Sequence, residues 1–221
     1  MKYFCVSLHK SGTSSVHAWF LEAGIKALHY PKRVGGKNYV TEIRPVIDDN
    51  ERIVDILTPV IDTYDGHSDA PWAGLYEEIL RRRDDARFIL IRRDPEAWWE
   101  SLARHWQIDW LARRISAYEW IHYRKHLRLD PYRLITRKDR DLFIDAYRQH
   151  EQAVMQTIPA GRLLSFNLLD QDKGERLSEF TDLKRVVQFP HRKPVSSEKP
   201  LKKTYRAIKR RFLGSDLTTD V

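Results

Sequence analysis

Five short apolar runs, at Tyr3–Leu8, Ala27–Tyr30, Val60–Tyr64, Ala86–Ile91 and Arg162–Phe166, punctuate the chain. The stretches between several of them carry apolar residues at helical spacing. Strands this short and this continuously apolar need cover on both faces, and the intervening helices are the available cover. A strand–helix–strand chain of this kind makes right-handed crossovers and hence a parallel sheet. The expected fold class is therefore α/β: three layers, with a central, mostly parallel sheet flanked by helices.

The helical stretches are specific. Val16, Trp19, Phe20 and Ala23 fall at i, i+3, i+4 and i+7, with Gly24 as the stop. Pro71 stands near the start of a second stripe, Trp72, Leu75, Tyr76, Ile79 and Leu80. Trp98, Trp99, Leu102 and Trp106 mark a third, and the Trp98/Trp99 pair reads as core packing rather than a stacking platform. Further helices are expected over 139–158 and 174–183, a basic one over 107–130 and a weak one over 51–57. Residues 31–50, with Gly35-Gly36, read as a loop containing a short strand or hairpin.

Composition sets outer bounds. A hydrophobic fraction of 42% supplies a core. No apolar run nears the ~18–20 residues of a membrane span, and the N-terminal run is shorter than a secretory signal requires. The single cysteine, Cys5, excludes an intrachain disulfide and reads as an inert core thiol. A cytoplasmic protein is expected, with residues 1–193 as one domain and 194–221 as a basic tail. Lys and Arg number 39 against 31 Asp and Glu, a net charge of 39 − 31 = +8 that asks for an anionic partner or a solvated surface.

The first turn answers part of that question. Lys10, Ser11, Gly12, Thr13, Ser14 and Ser15 join the first strand to the first helix. Glycine there lets backbone N–H groups approach an anion, the helix N-terminus adds its positive end, and lysine adds a mobile charge. The pattern is not a Walker A motif, because His9 stands where glycine would precede the lysine.

Lys10-Ser11-Gly12-Thr13-Ser14 resembles the 5′-phosphosulfate loop of sulfotransferases that use 3′-phosphoadenosine 5′-phosphosulfate (PAPS). A second signature of that family, an Arg at a later strand end and a Ser about eight residues on, is matched by Arg93 and Ser101. Asp69-Ala70-Pro71-Trp72, ARFILIRRDPEAWWES and Phe189-Pro190-His191 extend the likeness from about Tyr3 to His191, toward a P-loop sulfotransferase group common in bacteria and found in eukaryotes. The resemblance implies a P-loop-type fold, and sulfuryl transfer from PAPS to a hydroxyl or amine of a small molecule, glycan or lipid. It also implies adenosine 3′,5′-bisphosphate as product and no metal. On it, Lys10 and the Ser11–Ser15 loop hold the 5′-phosphosulfate, Lys10 stabilises the leaving phosphate, and Arg93 and Ser101 hold the 3′-phosphate. The Gly-x-x-Gly-x-x-Lys segment that binds the 3′-phosphate in many relatives has no counterpart here.

Other residues carry paired readings. Asp69 is either the general base (or substrate orienter) or a helix N-cap, and His9 and His105 are alternative bases. His122 and His126 have a spacing two metal ligands could use, yet read as part of a solvated basic helix. Residues 199–212 form a basic amphipathic pattern that lies on anionic membranes, docks on a partner, or packs on its own domain. A P-loop kinase using ATP and magnesium is one rival function, and a non-catalytic anion- or nucleic-acid-binding module is another. No nucleic-acid signature accompanies the basic stretches, so nucleic acid is not expected as a partner.

Overall fold

The computed structural model describes residues 1–109, 111–127 and 133–190. In chain order its elements are β1 (Lys2–Cys5), α1 (Thr13–Glu22), β2 (Ala27–His29), β3 (Arg33–Val34), β4 (Lys37–Asn38), α2 (Tyr39–Ile43) and α3 (Asn50–Thr63). Then follow β5 (Gly66–Ser68), α4 (Tyr76–Arg82), β6 (Ala86–Arg92), α5 (Pro95–Trp106), β7 (Arg113–Arg114) and α6 (Ala117–Tyr123). The last are β8 (Leu134–Ile135), α7 (Arg140–Thr157), β9 (Leu163–Asn167) and α8 (Lys173–Phe180).

Five strands make one sheet in the order β2-β5-β1-β6-β9, and every neighbouring pair is parallel. Alternate residues of a strand serve opposite layers. Tyr3 and Cys5 of β1 join Ile89 and Ile91 of β6 in one buried cluster with Val16, Trp19 and Phe20 of α1 and Leu177 of α8. Phe4, Val6, Phe88 and Leu90 face the other way, onto α3, α4 and Val154 of α7. Burying each such side chain stabilises by ~1.5–3 kcal/mol, which compensates for strands of three to seven residues. The three-layer α/β expectation holds. Cys5 is fully buried, and burial pushes its thiol up to about 11.

Residues 31–50 hold the short helix α2 besides the β3–β4 hairpin, and the stripe from Trp72 begins as a turn at Trp72–Gly74 before α4. Two larger elements differ from expectation. The run Val60–Tyr64 is not a strand: α3 continues through it, capped by Asp49 Oδ1 accepting from the Arg52 N–H. Ile53, Val54, Leu57, Val60 and Ile61 form one helical stripe, so the apolar run was the end of a longer period. The third sheet strand is instead Gly-His-Ser at 66–68, polar in composition and fully buried between β2 and β1. A Cβ on Gly66 would stand 2.8 Å from Phe20 Cδ2 and 2.9 Å from Ala27 Cβ, so α1 can pack this closely only over glycine.

The second difference is at 107–130. Among the described residues of that stretch no long solvated helix forms; a two-stranded ribbon, β7 with β8, precedes and follows the short α6, whose Tyr118, Glu119, Trp120, Ile121, His122 and Tyr123 are all buried. Glu119 explains this burial of a polar stretch. Its carboxylate accepts from Arg113 at 2.7 Å through both oxygens, from Trp106 Nε1 at 3.0 Å and from the Ser116 N–H at 2.8 Å. The tail at 194–221 lies outside the described residues, as does the 199–212 pattern.

All five sheet strands end at one edge. The chain adds β2 and β5 on one side of β1 and then crosses to β6 on the other. Open α/β sheets bind ligands at the carboxyl edge beside such a reversal. The loops after β1, β5 and β6 carry Lys10, Asp69 and Arg93 to that place.

Candidate active site

The loop after β1 is tightly held from beneath. The Val6 carbonyl accepts from His150 Nε2 at 2.7 Å, and Ser7 Oγ accepts from the Ile91 N–H at 2.6 Å. The His9 carbonyl accepts from Trp98 Nε1 at 3.0 Å, and the His9 N–H donates to His122 Nε2 at 3.1 Å. Lys10 then adopts φ 72° and Gly12 φ 113°, both left-handed. A Cβ on Gly12 would lie 2.9 Å from Leu168 Cδ1, so glycine is required for both conformation and space. The loop opens directly into α1, whose first turn has no side-chain cap and no acidic residue. By contrast, α3, α5 and α6 are capped by Asp49, Asp94 and Ser116. The start of α1 is an uncompensated positive pole facing the ligand edge.

Cations gather around it. Arg93 donates from Nη1 to the Lys10 carbonyl at 3.0 Å, and its own N–H donates to the Tyr147 hydroxyl at 2.9 Å. It pairs with neither acidic neighbour: Asp94 caps α5 and Glu96 pairs with Arg140. Burial lowers the Lys10 ammonium from its ordinary value; Asp69 pulls it back up, while Arg93 and Arg104 push it further down. Burial also lowers Arg93, with Arg104 acting in the same direction. Lys10, Arg93 and Arg104 thus share one field, and among the described residues none of the three has a carboxylate at ion-pair distance. Three like charges held together with no carboxylate at ion-pair distance suit a polyanionic ligand. Ser101, half-buried on α5, lies three residues before Arg104 and so on the same helix face.

Asp69 stands at the end of β5 with φ 71°. Its side chain is 20% exposed, and Oδ2 lies 3.3 Å from His29 Nε2. Burial pushes its carboxyl up to about 6; the Ala70 N–H and Lys10 pull it down, and the Glu119 carboxylate pushes it up. It does not cap a helix: the following turn, Trp72–Gly74, has Pro71 at its cap and no side-chain cap bond. The N-cap reading therefore falls. Tyr30 faces the same carboxylates, and its hydroxyl is raised by burial, then by Glu119 and Asp69.

A family model described as a sulfotransferase domain matches residues 2–197. The chain belongs to the sulfotransferase domain family. It is also similar to "Ava biosynthesis cluster protein M" of Aspergillus versicolor, 24% identical over 213 residues, covering 86% of this chain and 80% of the relative.

In this sulfotransferase-family chain the structure brings Lys10, Ser11, Gly12 and Thr13 into one loop with Arg93 against it. Ser11 and Thr13 are buried, Ser14 is exposed and Ser15, whose N–H donates to the Gly12 carbonyl at 2.9 Å, is half-buried. His9 is buried beneath the loop. Burial holds its imidazole far below the ordinary value, helped by His105, Arg113 and Lys10. His105 is exposed on α5, its ring 6.4 Å from that of His9. His122 is 1% exposed, not part of a solvated helix, because its ring nitrogen accepts the His9 N–H. Among the described residues no cluster of three His, Cys, Asp or Glu has the arrangement of a metal site. Trp98 and Trp99 are fully buried, and Trp98 stacks on Tyr147 at 4.4 Å.

Sequence reasoning missed Arg104, His29 and Tyr147. Arg104 could have been found from its i+3 spacing to Ser101. His29 carries no such signal, because its relation to Asp69 depends on which strand pairs with β2.

Proposed function

We propose that this chain transfers a sulfuryl group from PAPS to a hydroxyl or amine of a small metabolite, carbohydrate or lipid. The observation that carries the reading is the uncapped start of α1 with Lys10, Arg93 and Arg104 unpaired around it. PAPS presents two anionic groups to such a site, a 5′-phosphosulfate and a 3′-phosphate. Lys10 and the loop N–H groups suit the first; Arg93, Ser101 and Arg104 suit the second, and Arg104 supplies the cation that the missing Gly-x-x-Gly-x-x-Lys segment supplies elsewhere. The left-handed Gly12 suits a loop whose N–H groups face an anion, a turn that a residue with a Cβ could not make against Leu168.

In the transfer, a bond forms from the acceptor oxygen or nitrogen to sulfur, and the bond from sulfur to the phosphate oxygen breaks. The acceptor proton passes to Asp69, whose carboxyl at about 6 is charged at neutral pH and basic enough to take it. Lys10 and the fixed N–H dipoles meet the charge that develops on the leaving phosphate, without reorganisation. Adenosine 3′,5′-bisphosphate leaves. Positioning and fixed charge carry most of the rate, as in phosphoryl transfer.

The test is incubation of ³⁵S-labelled PAPS with the protein and fractionated small-molecule, glycan and lipid extracts. Label should move to a new species with wild type and stay on the donor with Lys10→Ala. Unconsumed PAPS together with magnesium-dependent transfer of the ATP γ-phosphate would overturn the proposal.

A further inference from the structure

The structure assigns His29 a positioning role: held by a hydrogen bond with Ser68 and lying at ion-pair distance from Asp69, it keeps the Asp69 carboxylate in one orientation and in its charged form. This rests on the reading of Asp69 as the group that takes the acceptor proton.

This arrangement is set by backbone register. Strand β2 pairs with β5 so that His29 lies directly beside Ser68, and adjacent residues of a parallel pair project to the same face. Ser68 Oγ is 2.9 Å from His29 Nδ1, and His29 Nε2 is 3.3 Å from Asp69 Oδ2. A charged carboxylate only accepts, so the second contact takes Nε2–H as donor. That leaves Nδ1 as the acceptor of the Ser68 hydroxyl, and one tautomer suits both contacts. Ser68 is fully buried, and the His17 ring packs beside the imidazole at 5.3 Å between centroids. At the far end, the left-handed backbone of Asp69 fixes where its side chain starts.

The surroundings explain why such a holder is needed. Asp69 faces Lys10 from the loop after β1, Cys5 of β1, Glu119 and Tyr123 of α6 and Tyr30 after β2, as well as His29. His29 in turn faces His17 of α1 and Ser68 of β5. Lys10 is the only cation of that set that favours the charged carboxylate, and a bound anionic donor draws it away. Glu119 opposes the charge throughout. With the donor in place, His29 is the side chain left to stabilise Asp69 as a base.

The experiment needs no acceptor. Protein labelled with ¹³C at the aspartate carboxyl is titrated from about pH 4 to 8, and the Asp69 resonance is assigned by its loss in Asp69→Asn. His29→Leu keeps the volume and removes the donor; the Asp69 midpoint should rise by about one pH unit, a roughly tenfold tighter hold on the proton. His29→Gln, which keeps an N–H donor, should restore at least half of that shift. Ser68→Ala should move the midpoint the same way by less, and decides the matter if His29→Leu fails to fold. The acid limb of any turnover profile should move in parallel. An Asp69 midpoint unmoved in folded His29→Leu or Ser68→Ala protein overturns the positioning role. Thermal shift with adenosine 3′,5′-bisphosphate separates the two ideas: wild type that ignores this ligand defeats the donor reading, whatever the titration shows.

Discussion

Replacing Asp69 by Asn removes a charge that the fold resists. The folded carboxyl sits at about 6 against an ordinary 3.8, chiefly because of burial. A raised carboxyl contributes stability below its ordinary value and loses it as pH rises through the folded value. At ~1.4 kcal/mol per pH unit, the loss between pH 3.8 and about 6 is at most ~3 kcal/mol. With the side chain 20% exposed, solvent screening reduces this to ~1–2 kcal/mol. Urea unfolding of wild type and Asp69→Asn at pH 4 and pH 7.5 measures it. The variant should be more stable by ~1–2 kcal/mol at pH 7.5, and the advantage should shrink toward zero at pH 4. On the proposed role of Asp69, the same variant should bind adenosine 3′,5′-bisphosphate and fail to turn over. Equal stability at pH 7.5, or a gap independent of pH, would refute the reasoning.

Three further outcomes follow from named contacts. Gly12→Ala forces alanine to φ 113° with its Cβ 2.9 Å from Leu168 Cδ1, so chemical denaturation should show a loss of ~1–3 kcal/mol, and nucleotide affinity should fall with it. Arg104→Ala should weaken adenosine 3′,5′-bisphosphate about tenfold, leaving adenosine 5′-phosphate affinity and the melting temperature unchanged; equal loss for both ligands would move Arg104 to the 5′ side. Glu119→Ala removes the acceptor of Arg113, Trp106 and Ser116, and should cost ~3 kcal/mol or more of unfolding free energy.

What the sequence made legible was whatever is encoded locally. The βα turn at Lys10, the Arg93 strand end and the helical stripes each depend on residues close together in the chain. The strand at 66–68 escaped notice because its burial comes from neighbours on both sides, not from its own polar composition. Helix α3 was cut short because Val60 and Ile61, read alone, fit a strand as well as a helical stripe. The basic stretch 107–130 misled for a related reason: Glu119 neutralises Arg113 inside the fold, and His122 supports the phosphate loop from below. Cation count predicted exposure there, and pairing decided otherwise. The Lys10 loop and Arg93 follow from local motifs. The grouping of Asp69 with His29, Tyr30 and Glu119 is assembled by strand register and long-range packing.

Isothermal titration calorimetry with adenosine 3′,5′-bisphosphate, set beside adenosine 5′-diphosphate and ATP–magnesium, tests the central claim most directly. The bisphosphate should bind at least tenfold more tightly than adenosine 5′-diphosphate, a preference of ~1.4 kcal/mol or more, and Arg93→Ala should abolish that preference. Tighter binding of ATP–magnesium than of the bisphosphate, or an unchanged preference in Arg93→Ala, would contradict it.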